Sequence, residues 1–201
     1  DYEIFKKQAL FHYQKQPIRP AFKEECRDPE THPFPTKSGK IEIFSEKVYR
    51  TEFKEFMPAI PRYVPPVEGA QDPLAEKYPL QLTGWHTKRR CHSIHDNNQA
   101  MHKIDPQMLW MNPVDAAARN LQDGDLAEVF NDRGRIRMPV RVTDRIMPGV
   151  TAISQGAWYR PDKNGTDTAG SINVLTSQHP TPYARGNGQH TNLVEVIRYG
   201  L

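Results

Sequence analysis

The chain has 201 residues, with 27 Lys and Arg against 24 Asp and Glu and a formal net charge of +3. This length allows one domain with an ordinary core plus an appendage, and the weak positive charge is not the signature of a nucleic-acid-binding protein. The 18 prolines favour long irregular connections over a helical bundle, and no apolar run is long enough to predict a transmembrane helix. Cys26 and Cys91 form no CxxC pair, which leaves their pairing and the redox compartment open.

Residues 1–77 are predicted to be an N-terminal extension and a proline-rich linker from a preceding domain. Residues 2–14 place apolar side chains on one helical face, which predicts a helix that ends before Pro17. Residues 36–45 predict a turn and then a short strand with Ile41 and Ile43 on one face. The chain begins without Met or a signal-peptide pattern, which suggests a fragment or a processed chain.

Residues 78–201 have the pattern of a small β-barrel. Asn112 is a suitable N-cap for a short helix with Pro113 at its first position, and Asn-Asp-Arg-Gly at 131–134 predicts a hairpin. Six short strands, one small helix and long loops do not fit βαβ repeats. The predicted strands span residues 78–83, 108–111, 126–131, 135–142, 150–153 and 192–198.

Several motifs follow one another in a family-specific order. Asn-Pro-Val-Asp-Ala begins at 112, Leu-Gln-Asp-Gly-Asp at 121, Asn-Asp-Arg-Gly at 131 and Ile-Met-Pro-Gly-Val at 146. A distinctive stretch at 82–93 precedes them, and two more follow at 171–176 and 186–196. In this order they resemble the C-terminal molybdopterin dinucleotide-binding domain of the dimethyl sulfoxide reductase family, with the catalytic subunits of anaerobic reductases as the nearest group. The resemblance implies a mainly β fold, a double-psi (aspartate-decarboxylase-like) β-barrel with short helices and an N-terminal extension.

The resemblance also implies a cofactor and a parent enzyme. The cofactor is molybdenum bis(molybdopterin guanine dinucleotide), shared with domains outside this chain, and the reaction is oxygen-atom transfer that reduces a sulfoxide or N-oxide in anaerobic respiration. In that family the 4Fe–4S cysteines and the molybdenum ligand belong to other domains. We therefore expect no metal ligand, no catalytic residue and no reductase activity from this chain alone.

The family context further implies partners and a compartment. The expected partners are the remainder of the same catalytic chain, an iron–sulfur electron-transfer subunit and a membrane anchor subunit, with no nucleic acid. Such catalytic subunits are exported folded, which implies the periplasmic face of the cytoplasmic membrane.

The predicted cofactor contacts lie on three loops. A strand that ends at glycine lets backbone approach a ligand closely, and Arg and Lys side chains beyond it suit phosphate. Amide side chains suit the edges of pterin and guanine rings, and Asn173 is the strongest candidate among them. The predicted contacts are Thr83, Gly84, Trp85, His86, Lys88, Arg90, His92 and Ser93 on the first loop, Asn173 on the second, and Gln189, His190 and Asn192 on the last.

Simpler interpretations exist for the same residues. The basic first loop is typical of a solvated surface, and a loop Asn often caps its own backbone. The cluster Cys91, His92, His95 and His102 lacks the spacing of a zinc site, and Trp158 is predicted to be a core or interdomain residue. Arg135, Arg137 and Arg141 indicate a solvated or docking face. Two other double-psi barrels remain as alternatives, a protein-binding module without cofactor and a decarboxylase that cleaves itself at Gly170-Ser171.

Overall fold

A computed structural model describes residues 1–12, 17–188 and 190–200. The chain divides into two compact units. The first contains Asp1–Lys54 and Pro58–Pro61, and the second contains Glu55–Met57 and the chain from Arg62 onward.

In its described residues, the first unit contains three short helices, α1 at Tyr2–Gln8, α2 at Lys23–Arg27 and α3 at Glu46–Tyr49. Helix α1 begins at Asp1, whose carboxylate accepts from the Glu3 N–H, and ends at Ala9 in the left-handed region with φ of 57°. The predicted helix is confirmed over residues 2–8 but is wrong over residues 9–12, which are not helical, and residues 13–14 lie outside the described residues.

The predicted strand around Ile41 and Ile43 is wrong. These side chains are 71% and 70% exposed and lie in irregular backbone, and Ser45 then caps α3 by accepting from the Val48 N–H. Alternation of apolar residues makes a strand only where a neighbouring strand supplies partners for the backbone groups.

The described part of the second unit is built from six strands and short helical segments. Its helical segments are a 3₁₀ helix at Pro73–Glu76, α4 at Gln99–Ile104, α5 at Pro113–Ala117 and a second 3₁₀ helix at Ile172–Val174. Its strands are β1 at Leu80–Trp85, β2 at Leu109–Met111, β3 at Leu126–Asn131, β4 at Gly134–Val142, β5 at Val150–Ser154 and β6 at Asn192–Arg198. Across the described ranges, none of the helices has the length and apolarity required to cross a membrane.

The six strands close into a barrel in the order β1-β5-β2-β4-β3-β6. β1 pairs with β5 and β2 with β4 in parallel, while the other four neighbours are antiparallel. The side chains that alternate inward fill the core, and Leu82, Leu109, Val129, Ile136 and Ile153 are all fully buried. The arrangement confirms the predicted double-psi β-barrel.

Two short motifs form as predicted and connect the barrel to its loops. The Asn112 side chain caps α5 by accepting from Val114 N at 2.9 Å and donates to the Ile146 carbonyl at 2.7 Å. In the hairpin, Asn131 accepts from Arg133 N at 3.0 Å and donates to the Leu175 carbonyl at 2.9 Å. Each Asn therefore shapes its own turn and holds a second segment in place.

A buried carboxylate ties the segment before β1 to the barrel. Glu68 is 5% exposed and makes two hydrogen bonds with Arg133, at 2.7 and 2.8 Å. It also accepts from Leu193 N at 3.0 Å, while Arg133 Nε donates to the Leu175 carbonyl at 3.0 Å. One carboxylate therefore joins this segment to the β3–β4 hairpin and to β6.

Glu68→Gln is expected to lower the free energy of unfolding by about 2 kcal/mol. The substitution leaves the partly buried Arg133 guanidinium without its counter-charge and weakens the acceptor for Leu193 N. Urea denaturation of both proteins measures the effect. Glu76→Gln, at an exposed carboxylate of the adjacent 3₁₀ helix, is the control; equal losses in the two variants would refute a role specific to Glu68.

Candidate cofactor-binding site

The ends of β1 and the last loop meet at one imidazole. Gly84 N donates to His190 Nδ1 at 3.3 Å, and the Thr83 hydroxyl lies 3.4 Å from the same nitrogen. A Cβ at Gly84 would lie 3.3 Å from Ile172 Cδ1, in the 3₁₀ helix that carries Asn173. The structure thus brings residues from all three predicted loops to the end of β1.

Asn173 opens onto a cavity of about 380 Å³. Its backbone carbonyl accepts from the Thr176 hydroxyl, but its side-chain amide has no hydrogen-bond partner within the described ranges. The alternative in which this Asn caps its own backbone is therefore not observed. The other lining residues are Thr176, Ser177, Gln178, His179, Pro180, Arg185, Gly186 and Asn187.

Most of these polar lining residues were not predicted from the sequence. Gln178, His179 and Arg185 lie between the two last motifs that resemble the family, and Asn187 lies at the start of the second. The polar composition of this segment was the available signal, since Gly186 and Gly188 break any periodicity. The chain turns back through an isolated bridge between Pro180 and Asn187, which places the imidazole and guanidinium at one cavity.

Asn192 orders this segment from inside the barrel. Its side chain is fully buried; it accepts from Ser177 N at 2.7 Å and donates to the Gly188 carbonyl at 3.3 Å. The amide therefore fixes both ends of the cavity-lining segment, a role different from the predicted direct contact. Gln189, also predicted as a contact, lies outside the described residues.

The outer part of the first loop is exposed and cationic. The His86 and His92 rings meet edge to face with centroids 4.8 Å apart, and Lys88 is exposed. The loop is shaped by Thr87, whose hydroxyl accepts from the backbone N–H groups of residues 89 and 90. Ser93 is exposed and its carbonyl accepts from the Trp158 indole at 2.9 Å. These exposed donors can be reached by a ligand.

Arg90 differs from its cationic neighbours because it is buried. Its side chain is 5% exposed, pairs with Asp96, and donates to Gln107 Oε1 at 2.5 Å and to Ser154 Oγ at 3.1 Å. The guanidinium holds the loop to the barrel and is not presented to a phosphate. Sequence reasoning did not identify Asp96, because a carboxylate within a polar loop carries no sign of burial.

Asp96 connects three segments. Its side chain is 2% exposed; besides Arg90 it accepts from Trp158 N at 2.8 Å and lies 3.3 Å from His102 Nε2. Trp158 is 45% exposed, so it is not a core residue, while its predicted interdomain role stays a prediction. Its indole and backbone N–H groups bond the Ser93 carbonyl and Asp96.

A second buried carboxylate positions the Asn173 turn. Asp167 is fully buried and accepts from Arg160 N at 2.8 Å, Gly170 N at 2.8 Å and Ser171 N at 2.7 Å. These bonds gather the loop after β5 and direct the chain into Ile172–Val174. Like Asp96, this residue organises the site without touching the cavity that Asn173 lines.

Trp85 has an unpaired donor. Its ring lies 5.1 Å from that of Trp110, and Arg145 lies over the Trp110 ring at 5.2 Å. Its indole Nε1 is buried and, among the buried side-chain polar atoms of the described residues, is the one without a hydrogen-bond partner. A buried donor of this kind is usually matched by bound water or a ligand.

The arginines of β4 are largely paired within the barrel. Glu128 bonds Arg135 at 2.6 Å and Arg137 at 2.9 Å, and the hydrogen bond to Glu128 raises the pKa of the Arg137 guanidinium. Arg141 is 4.0 Å from Asp123 and is mostly exposed. Two of the three charges are thus neutralised locally, which matches a solvated face better than an anion-binding groove.

Cysteine and histidine side chains are not grouped as a metal site in the described ranges. Cys26 and Cys91 are free and exposed, and His102 Nε2 lies 2.6 Å from the Asp96 carbonyl oxygen. No set of three His, Cys, Asp or Glu side chains in the described part of the chain could hold a metal ion.

The structure is thus a closed β-barrel with polar loop residues at the end of β1. The family model "Molydopterin dinucleotide binding domain" matches residues 80–193, more than half of the chain, and the chain belongs to this family. Membership implies a molybdenum–pterin cofactor and confirms the resemblance seen in the motifs.

The chain is also similar to individual proteins of known sequence or structure. The chain is 45% identical over 204 residues to dimethyl sulfoxide reductase DmsA of Haemophilus influenzae and 43% identical over 202 residues to that of Escherichia coli. The alignments cover 98% and 97% of this chain but 25% of each relative, so the chain spans about a quarter of their length. Acetylene hydratase from Pelobacter acetylenicus has the same fold, with a TM-score of 0.63 and 18% identity over 85% of this chain and 25% of that one.

The side chains at the site fit such a cofactor. The Asn173 amide and the neighbouring Gln, His and Asn side chains offer the donors and acceptors that ring edges require. Arg185, His190 and the cationic first loop suit phosphate. Gly84 keeps the strand end free of a Cβ where the loops converge.

Proposed function

We propose that this chain is a cofactor-binding domain of an oxidoreductase that reduces a sulfoxide or N-oxide by oxygen-atom transfer in anaerobic respiration. The cofactor is molybdenum bis(molybdopterin guanine dinucleotide). The observation that carries the proposal is the convergence of Thr83, Gly84 and His190 beside the turn that holds Asn173.

The residues of this chain bind and orient the cofactor. When bound, the cofactor supplies the two-electron chemistry at its metal. The unpaired Asn173 amide is suited to a ring edge, and His86, Lys88, His92 and Ser93 provide exposed donors on the first loop. Arg90 and Asn192 act indirectly, because their side chains are buried and hold the two loops in place.

The proposal extends to the longer protein. Residues 1–77 are assigned to an extension and linker, and residues 78–201 to the cofactor-binding barrel. The molybdenum ligand and the 4Fe–4S cluster lie in other domains of the same catalytic chain, and the 201-residue chain alone has no reductase activity. An iron–sulfur subunit and a membrane anchor complete the complex at the periplasmic face of the cytoplasmic membrane. The length ratio of about one quarter supports a larger parent.

Asn173→Ala in the full-length protein is expected to reduce bound molybdenum and guanine nucleotide about tenfold, since one well-placed hydrogen bond contributes roughly 1–1.5 kcal/mol. Metal analysis and nucleotide release after denaturation measure the content. Asn164→Ala removes an exposed amide outside the cavity and is the control. Full cofactor content in both variants would reject the assignment of Asn173.

A protein-binding barrel without cofactor is the competing function. It requires an exposed apolar groove, whereas the cavity beside Asn173 is lined by amide, hydroxyl, imidazole and guanidinium groups. Purification of the full-length protein without molybdenum or guanine nucleotide would favour that alternative.

A further inference from the structure

A second cavity, the α4 cleft, lies beside α4. It measures about 430 Å³ and is bordered by α4, the loop after β5 and the buried network around Asp96. It shares no lining residue with the cavity of Asn173. Its lining residues are Asp96, Gln99, His102, Lys103, Gln107, Arg160, Thr168 and Ala169.

The charges in the α4 cleft do not balance. Lys103 is exposed and has no hydrogen-bond or ion-pair partner within the described ranges, and Arg160 is 57% exposed and 3.9 Å from its nearest carboxylate oxygen. Asp96 is the one carboxylate among the described lining residues, and it is already engaged by Arg90 and by Trp158 N. Among the described lining residues, Lys103 and Arg160 therefore have one carboxylate between them, and Arg90 already engages it.

The backbone around these cations is fixed. Arg160 N donates to Asp167 Oδ1 at 2.8 Å, and the Thr168 hydroxyl donates to the Arg160 carbonyl at 2.9 Å. Lys103 belongs to α4, which Asn98 caps by accepting from Ala100 N at 3.0 Å. The Gln107 amide donates to the Ser154 and Gly170 carbonyls and forms a wall. Such preorganisation lowers the cost of binding a ligand.

We propose that the α4 cleft binds a phosphate-type oxyanion between Lys103 and Arg160. A guanidinium can hold two oxygens of such a group in parallel hydrogen bonds, and an ammonium supplies a compact charge beside it. Gln99 and Thr168 border the same space. The anion has two possible sources, free inorganic phosphate or the diphosphate of a nucleotide. The inference goes beyond the cofactor proposal, which rests on the first loop and the cavity of Asn173.

The test is a titration of the ¹⁵N-labelled 201-residue chain with sodium phosphate, sodium pyrophosphate and GDP, against sodium chloride at matched ionic strength. Two-dimensional amide spectra report the position and the affinity. We expect saturable shifts at Gln99, Thr168 and Ala169 with phosphate, and binding about tenfold weaker in the Lys103→Gln, Arg160→Gln double variant. Lys163→Gln, an exposed lysine outside the lining, should bind as the parent chain does.

The outcomes distinguish free phosphate from a nucleotide as the ligand, and they test the oxyanion proposal independently of the cofactor proposal. Equal shifts with phosphate and GDP would assign the site to free phosphate, and tighter binding of GDP through the same residues would assign it to a nucleotide; both support the cleft as an oxyanion site. Shifts that chloride reproduces, or an affinity unchanged in the double variant, would overturn the inference. Asn173→Ala should leave phosphate binding at the α4 cleft unchanged, because Asn173 does not line it. The oxyanion proposal can therefore hold even if the assignment of Asn173 to the cofactor fails.

Discussion

Asp96→Asn is expected to lower the free energy of unfolding of the barrel by about 3–5 kcal/mol, because it leaves the buried Arg90 guanidinium without its counter-charge. Arg90 is 5% exposed and cannot turn to solvent without giving up its bonds to Gln107 and Ser154. The substitution conserves shape, so the loss reports charge and hydrogen bonding and not a cavity. Urea denaturation of the 201-residue chain measures it.

The control for this prediction is an exposed ion pair between an aspartate and a lysine. Asp132 accepts from Lys77 Nζ and from the Tyr78 hydroxyl, and both charged side chains of that pair are 60% exposed. The hydrogen bond from Lys77 lowers the pKa of Asp132, yet exposed pairs contribute little to stability. Asp132→Asn should therefore change stability much less. Comparable losses from the two variants would mean that Asp96 and Arg90 are not a buried electrostatic anchor.

Asp96→Asn also has a functional consequence. Asp96 closes the first loop onto Trp158 N and Arg90, and that loop presents His86, Lys88 and His92. In the full-length protein we expect molybdenum content to fall together with stability. If the variant loses stability but keeps its full molybdenum content, the Asp96–Arg90 pair stabilises the fold without positioning the first loop for the cofactor.

The barrel itself was predictable because local patterns and tertiary structure agree. β3 and β6 have the predicted bounds, and β4 and β5 differ by one residue, since alternating burial, the Asn112 cap and the Asn131 hairpin each act over a few residues. The strand expected at residues 41 and 43 failed for the opposite reason. The apolar residues alternated at these positions, but the sequence contained no signal for a neighbouring strand to pair with them.

The site was predictable only in part. Gly84 and His190, both predicted as cofactor contacts, lie next to each other, but the roles of Arg90 and Asn192 depend on burial, which the residue types do not reveal. Long loops carry most of the site, and their conformation follows from carboxylates such as Asp167 whose partners lie in separate segments. No periodicity encodes such contacts.

Gly156→Ala is expected to lower the free energy of unfolding by about 3 kcal/mol or more, from backbone strain and from overpacking. Gly156 has φ of +93°, and a Cβ there would lie 1.8 Å from the His92 carbonyl oxygen and 2.4 Å from its carbon. The obstacle is backbone, so no side-chain rotation relieves it. Either the loop after β5 or the first loop must move.

Gly165→Ala is the control that measures backbone strain without the steric contact present at Gly156. Gly165 has φ of +82° and no atom within 4 Å of the position that a Cβ would take. Alanine at this position therefore costs only the backbone strain of a positive φ, about 1–2 kcal/mol. The difference between the two variants in urea denaturation measures the contact with His92. Because His92 and Ser93 belong to the first loop, Gly156→Ala should also reduce molybdenum content in the full-length protein, while Gly165→Ala should not. Equal effects on stability and content would show that close packing at Gly156 does not position this loop.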